Sequence, residues 1–138
     1  MTVHADDKRI NQTKAIALSE LHDMEHEIFS EPWLTYQKII KLPDDSLEMP
    51  QSIKVWWLIR KAQCENLLYF YSEFDQTLTQ LNTLIDNQSL PENQAHFYYF
   101  KGLSAQRAGK YLLARKHLRQ AMKVAKENNH HHIYVKAK

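Results

Sequence analysis

The chain reads as an all-α fold of stacked antiparallel helical hairpins, and three observations predict it. Its 138 residues hold only two glycines and four prolines, too few for a β-rich fold with many tight turns. Apolar residues recur at three- and four-residue steps over much of the chain, the period of one helix face. Both glycines fall within Ala95 to Lys126, a stretch that divides at Gly109 into two helical patterns folded back on each other.

Gly109 follows Arg107-Ala108 and precedes Lys110-Tyr111, the setting of a helix C-terminal stop and a tight reversal. Beyond it, Tyr111, Ala114, Leu118, Ala121 and Ala125 form one apolar stripe, and the small Ala114 and Ala121 let a partner helix pack closely. Tyr98, Gly102 and Ala105 make the matching stripe on the first helix. Glycine inside a helix costs about 1 kcal/mol relative to alanine, so Gly102 predicts a close approach by a neighbouring helix.

Tyr98, Gly102, Ala105, Gly109, Tyr111, Ala114, Leu118 and Ala121 together resemble a tetratricopeptide repeat. In that family each unit is a helix–turn–helix of 34 residues, and units stack into a right-handed solenoid. The resemblance therefore implies a TPR-like solenoid over residues 13–128, of about three hairpins. Lys101 departs from the pattern, standing at a usually apolar position, and no proline closes the unit near Lys126.

Residues 1–12 are polar and aperiodic, the composition of a flexible tail. From Thr13 to Phe29, Ala17, Leu21, Met24 and Ile28 mark one helix face. Ser30-Glu31-Pro32 reads as a start signal with Ser30 as cap, followed by a shorter helix carrying Trp33, Leu34, Tyr36, Ile39 and Ile40 and ending at Leu42-Pro43-Asp44-Asp45. Two similar linkers, Ser46 to Gln51 and Ser89 to Gln94, each precede an aromatic-rich helix, which suggests repeated units of roughly 40 residues. In the second linker Ser89 and Glu92 have capping-box spacing.

The pattern from Gln51 to Tyr71 is apolar almost all round, as in a helix covered on both sides. Ser72-Glu73-Phe74 then echoes Gly109-Lys110-Tyr111 at a 37-residue offset, which sets Glu65 and Thr77 where the clearer unit has Gly102 and Ala114. Residues 129–138 read as a turn and the start of a further or capping helix.

The net charge of +2 conceals an asymmetry: residues 1–100 carry 8 Lys/Arg against 15 Asp/Glu, and residues 101–138 carry 10 against 1. Arg115, Arg119, Lys123 and Lys126 recur at helical spacing opposite the apolar stripe, with Lys116 beside them. Such a basic face is a solvated helix exterior or a surface for an acidic partner. Acidic front and basic rear also permit self-association. Nucleic acid fits poorly, because the rest of the chain is acidic and its aromatic residues serve packing. The lone Cys64 excludes an internal disulfide and points to a reducing, cytoplasmic setting. No apolar run has the length of a membrane span, and the first residues lack a secretory pattern.

Catalytic signals are sparse. His22, Glu25 and His26 fit an H-x-x-E-H pattern in which two histidines one helical turn apart could hold zinc and the glutamate act as base. No third ligand follows from spacing, and a solvated helix flank is the plainer reading. His130-His131-His132 could bind a transition metal adventitiously or simply form a turn. There is no serine–histidine–acid arrangement, phosphate-binding glycine loop or paired-cysteine motif. The expectation is a non-catalytic protein without a cofactor.

In the tetratricopeptide family, partners lie in a concave groove lined by the first helix of each hairpin. Carried over, the resemblance assigns His96, Tyr99, Leu103, Gln106 and Arg107 to that wall in the clearer unit, and Ala62, Gln63, Asn66 and Tyr69 in the fainter one. This mixture suits a peptide or a partner's helix. It is not the carboxylate clamp of some members: Asn66 matches, but Ala62 stands where the clamp has lysine. Residues 50–127 also look like helical-repeat segments that precede bacterial GGDEF signalling domains, which implies a regulatory or sensory role.

Overall fold

The computed structural model describes residues 19–41 and 50–129. Every regular element among the described residues is a helix, and none is a strand. The chain divides into two compact units, Met1–Phe70 and Tyr71–Lys138. The expected tail over residues 1–12, and His130, His131 and His132 with the further helix, lie outside the described residues.

In Met1–Phe70, α1 is described over residues 19–23, α2 spans Glu25–Ser30, α3 Pro32–Lys41 and α4 Gln51–Leu67. The single helix expected up to Phe29 is interrupted at Met24, yet Leu21, Met24 and Ile28 are all buried, as their spacing requires. Ser30 is not the cap of α3. It ends α2, and its hydroxyl donates back to the His26 carbonyl at 3.2 Å. The break falls at Glu31 (φ −140°, ψ 69°), after which Pro32 opens α3 where no N–H is needed.

Helix α4 stops at Leu67, short of the expected Tyr71, and has no polar face: the consecutive residues Val55 to Arg60 are all buried. Leu58 and Ile59, fully buried, contribute about 1.5–3 kcal/mol each. Three polar anchors tie α4 to the earlier helices. The Trp57 indole N–H donates to the Ile39 carbonyl at 2.9 Å. Tyr36 donates to the buried Glu65 carboxylate at 2.9 Å, with Lys61 3.9 Å away. Arg60 donates from Nε to the Leu21 carbonyl at 2.8 Å and from Nη2 to the His22 carbonyl at 3.3 Å. These carbonyls lie at the end of α1, where intrahelical donors run out, and a guanidinium supplies the missing N–H groups.

In Tyr71–Lys138, α5 spans Tyr71–Asn82, α6 Pro91–Arg107 and α7 Tyr111–Glu127. Helices α6 and α7 form an antiparallel hairpin over a core of Ala95, Val124 and Ala125, against which Tyr98 and Tyr99 pack. A Cβ on Gly102 would come within 2.5 Å of Leu118 Cδ2 and 3.4 Å of the Ala114 carbonyl oxygen, so the expected close approach is real. The expected capping box at Ser89 and Glu92 does not form: Leu90 is the cap residue, and the Ser89 hydroxyl instead accepts from the Asp86 N–H at 2.9 Å. Helix α5 meets α6 through Phe74 and Phe100, both buried, with ring centroids 5.5 Å apart and edge to face.

The internal repeat is present in the backbone, in a register other than 37. Helices α4 and α6 are both 17 residues long and begin 40 positions apart, at Gln51 and Pro91. Their ends agree bond for bond. Phe70 N–H donates to Glu65 and Tyr69 N–H to Asn66, as Lys110 does to Ala105 and Gly109 to Gln106. Each is a Schellman end closed by one left-handed residue, Tyr69 (φ 63°) or Gly109 (φ 76°). In this register Ala62, not Glu65, corresponds to Gly102. The period also exceeds the 34 residues of a tetratricopeptide unit.

Candidate partner-binding groove

Within Tyr71–Lys138, the end of α6 and α7 from Tyr111 to Met122 enclose an open groove of about 400 Å³ lined by Gln106, Tyr111, Ala114, Arg115, Leu118, Arg119 and Met122. Tyr111, Ala114, Leu118 and Met122 share one side of α7 by their three- and four-residue spacing. Ala114 is buried and short, which leaves depth between the longer side chains. Apolar surface continues onto the first turn of α7, where Tyr111 is 70% and Leu112 85% exposed. Large apolar side chains left this open mark a surface that gains by being covered.

The groove is positively charged. Arg115 and Arg119 line it beside the apolar stripe, not opposite it as the spacing suggests, and Lys116, Lys123 and Lys126 lie exposed on the same helix. Beside them His117 has its pKa lowered, first by burial and then by the nearby charges of Lys101 and Lys116.

The residues assigned to a concave wall divide between the two units and differ in accessibility. Ala62 and Gln63 are buried in α4, where Gln63 accepts from Arg60 Nη1 at 2.9 Å, and His96 is buried and stacked on Phe100. These three pack inside the fold instead of facing solvent, which corrects the expectation for them. Asn66, Tyr99 and Leu103 are half-buried, with the Tyr99 hydroxyl pKa raised by burial. Tyr69 is exposed at its left-handed turn. Arg107 stacks over Tyr71 and Phe74, 4.1 and 4.6 Å from their ring centroids. Of the nine, only Gln106 lines the groove on α7. Nothing in the sequence marks Tyr111, Ala114, Leu118 and Met122 as a site, because their spacing reads equally well as core.

A second groove, of about 460 Å³, lies on α2 and α3 and is lined mainly by polar residues, including Glu27, Glu31, Lys38 and Lys41. Phe29, Trp33, Leu34 and Ile40 on these helices are about half exposed. The proposed zinc pair lies on either side of the interruption at Met24, and the His22 ring packs edge-on against Trp56 at 5.1 Å. Among the described residues no group of three His, Cys, Asp or Glu side chains is placed to hold a metal ion. Nor is any helix among them long and apolar enough to cross a membrane.

No protein-family model, curated protein or solved structure matches this chain.

Proposed function

We propose that the chain is a non-catalytic interaction module whose α6–α7 groove binds a segment of another protein. One observation carries the reading: an open groove of about 400 Å³ in which exposed Tyr111 and the side chains of Leu118 and Met122 alternate with Arg115 and Arg119. Apolar area supplies affinity and the guanidinium groups supply orientation and selectivity for carboxylates. The helical hairpin and the residues quoted above support a TPR-like scaffold. Their likeness to segments preceding signalling domains supports a regulatory role in a bacterial signalling protein of the cytoplasm.

The test is selection of short random peptides by display against the whole chain, followed by hydrogen-exchange mapping. Selected peptides should protect residues 106–122, and Tyr111→Asp with Met122→Asp should abolish that protection. Peptides that bind equally well to the double variant would overturn the proposal.

A second reading, self-association, rests on the charge asymmetry of the chain, 8 Lys/Arg against 15 Asp/Glu over residues 1–100 and 10 against 1 over residues 101–138, together with the half-exposed Phe29, Trp33 and Leu34. Light scattering that gives a monomeric mass at both low and high salt would end it.

A further inference from the structure

The 40-residue repeat says what kind of segment the groove takes. Helix α5 begins at Tyr71 and α7 at Tyr111, so Tyr71, Phe74 and Asp75 on α5 correspond to Tyr111, Ala114 and Arg115 on α7. On α5 that face is covered by a helix. Phe100 of α6 packs edge-on against Phe74 at 5.5 Å, Ser104 donates to the Asp75 carboxylate at 3.0 Å, and the Arg107 guanidinium covers Tyr71 at 4.1 Å. The three contacts fall on positions i, i+4 and i+7 of α6, one face of an antiparallel helix. On α7 the same face is the groove wall, with Tyr111 largely exposed.

We infer that the occupant of the groove is an amphipathic helix laid antiparallel on α7, with a large aromatic side chain at i, a carboxylate at i+4 and an arginine or lysine at i+7. The inference rests on the reading of α6–α7 as a partner site, and each requirement follows from comparing the two copies of the repeat position by position. Ala114 replaces Phe74, which removes a ring from the wall and leaves space that a tryptophan or phenylalanine at i would fill. Arg115 replaces Asp75, which reverses the charge opposite i+4, so the serine hydroxyl of α6 gives way to an aspartate or glutamate. Tyr111 retains the aromatic face of Tyr71, which favours a cation at i+7.

The experiment uses a fluorescein-labelled helical peptide on an alanine–glutamine background carrying Trp at i, Glu at i+4 and Arg at i+7, titrated with the whole chain. Replacing the peptide's Glu with Lys should weaken binding ~10-fold, and Arg115→Glu should do the same to the parent peptide. Arg115→Glu paired with the Lys peptide should restore affinity to within ~3-fold of the original pair. Loss without restoration would overturn the assignment of Arg115 to i+4. If display-selected peptides protect residues 106–122 but the patterned helix does not bind, the helical occupant is wrong and the interaction module stands. If neither protects them, both proposals fail. Protection of Leu112 by vesicles containing phosphatidylserine, lost at high salt and not produced by either peptide, would assign the surface to an anionic membrane instead.

Discussion

Tyr69 and Gly109 occupy one position in two copies of the same helix end, 40 residues apart, and both are left-handed, at φ 63° and 76°. The same pair of backbone hydrogen bonds closes each end. Glycine enters this conformation without steric cost, whereas an L-residue crowds its Cβ against the following carbonyl. The repeat therefore holds one relaxed and one strained copy of a turn.

Tyr69→Gly should accordingly stabilise Met1–Phe70 by ~1 kcal/mol, since the tyrosine is 76% exposed and little buried surface goes with it. All three tryptophans, Trp33, Trp56 and Trp57, lie in that unit, so their fluorescence during urea unfolding reads it directly. Gly109→Ala should cost ~1 kcal/mol in the other unit, measured by amide exchange on α6 and α7. A Cβ there would meet nothing within 4 Å, so the cost is backbone strain alone. A lower midpoint for Tyr69→Gly would contradict this account of the turn.

That pair also shows what the sequence could and could not reveal. Gly109 announces its turn because glycine is the usual left-handed residue, and Gly102 announces a close contact because it is costly in a helix. Tyr69 announces nothing, and the echo visible in sequence at Ser72-Glu73-Phe74 falls three residues beyond the turn that Tyr69 makes. Ala62 would have corrected the register, being the small residue 40 positions before Gly102. Ser30 and Ser89 have capping spacing, but hydroxyls bond whatever backbone group is nearest, and here each turned elsewhere. The groove was hidden for a different reason. The Tyr111–Ala114–Leu118 stripe looks the same in sequence whether a neighbouring helix covers it or not. Arg60 and Glu65 were hidden too, since charged residues in an apolar helix reveal their partners only when distant segments are brought together.

Gly102 and Leu118 should be coupled. In an open helix Gly102→Ala would stabilise by about 1 kcal/mol, but its Cβ would lie 2.5 Å from Leu118 Cδ2 and 2.7 Å from Cγ. Overpacking of this kind costs ~1–3 kcal/mol, so the single variant should be less stable than the parent. With Leu118→Ala already present the clash is gone, and the same substitution should then stabilise. A double-mutant cycle by thermal unfolding measures this; additive effects would mean that the helices separate freely at this point.

Arg60→Met should be among the most damaging single changes in Met1–Phe70. The methionine keeps much of the volume but supplies no donors, leaving the carbonyls of Leu21 and His22 and the Gln63 amide oxygen without the bonds Arg60 now gives them. Each buried acceptor stripped of its partner costs ~1–3 kcal/mol, and relaxation toward water recovers part of the total, so ~2–4 kcal/mol is expected. Arg60→Lys should fall between, because an ammonium reaches one carbonyl but cannot bridge two. A loss under ~1 kcal/mol for Arg60→Met, read by tryptophan fluorescence, would show that this buried guanidinium is dispensable.

The pKa of His117 is lowered in the folded chain, so folding favours its neutral form. The unfolded state then binds the proton more tightly, and stability falls as pH drops from the ordinary histidine value of 6.5 toward the lower folded value. Above that window the histidine is neutral in both states and contributes no pH dependence. His117→Gln should flatten this part of the melting profile for Tyr71–Lys138 relative to the parent. Adding salt should shrink the difference only in part, since burial is the larger cause and Lys101 and Lys116 the smaller. An unchanged profile in the variant would remove His117 from the account.

Cys64 supplies a chemical reporter for the unit that Arg60 holds together. Its side chain is fully buried, and its pKa is pushed up to about 12 by burial first and by the Glu65 charge second, with Arg60 opposing. Only the thiolate attacks alkylating reagents, so at neutral pH the folded chain should resist iodoacetamide and react through transient opening. Two consequences can be separated. The folded state favours the thiol, so this group's contribution to stability is complete below pH 9.0 and is lost as pH rises toward 12. At constant pH, Arg60→Met withdraws the cation that lowers the Cys64 pKa, which alone would slow direct reaction, while weakening the unit, which speeds reaction through opening. If opening governs access, as full burial requires, labelling of Arg60→Met should be faster than that of the parent, in proportion to its loss of stability. Slower labelling would mean that reagent reaches Cys64 in the folded chain and that the α4 interior is open.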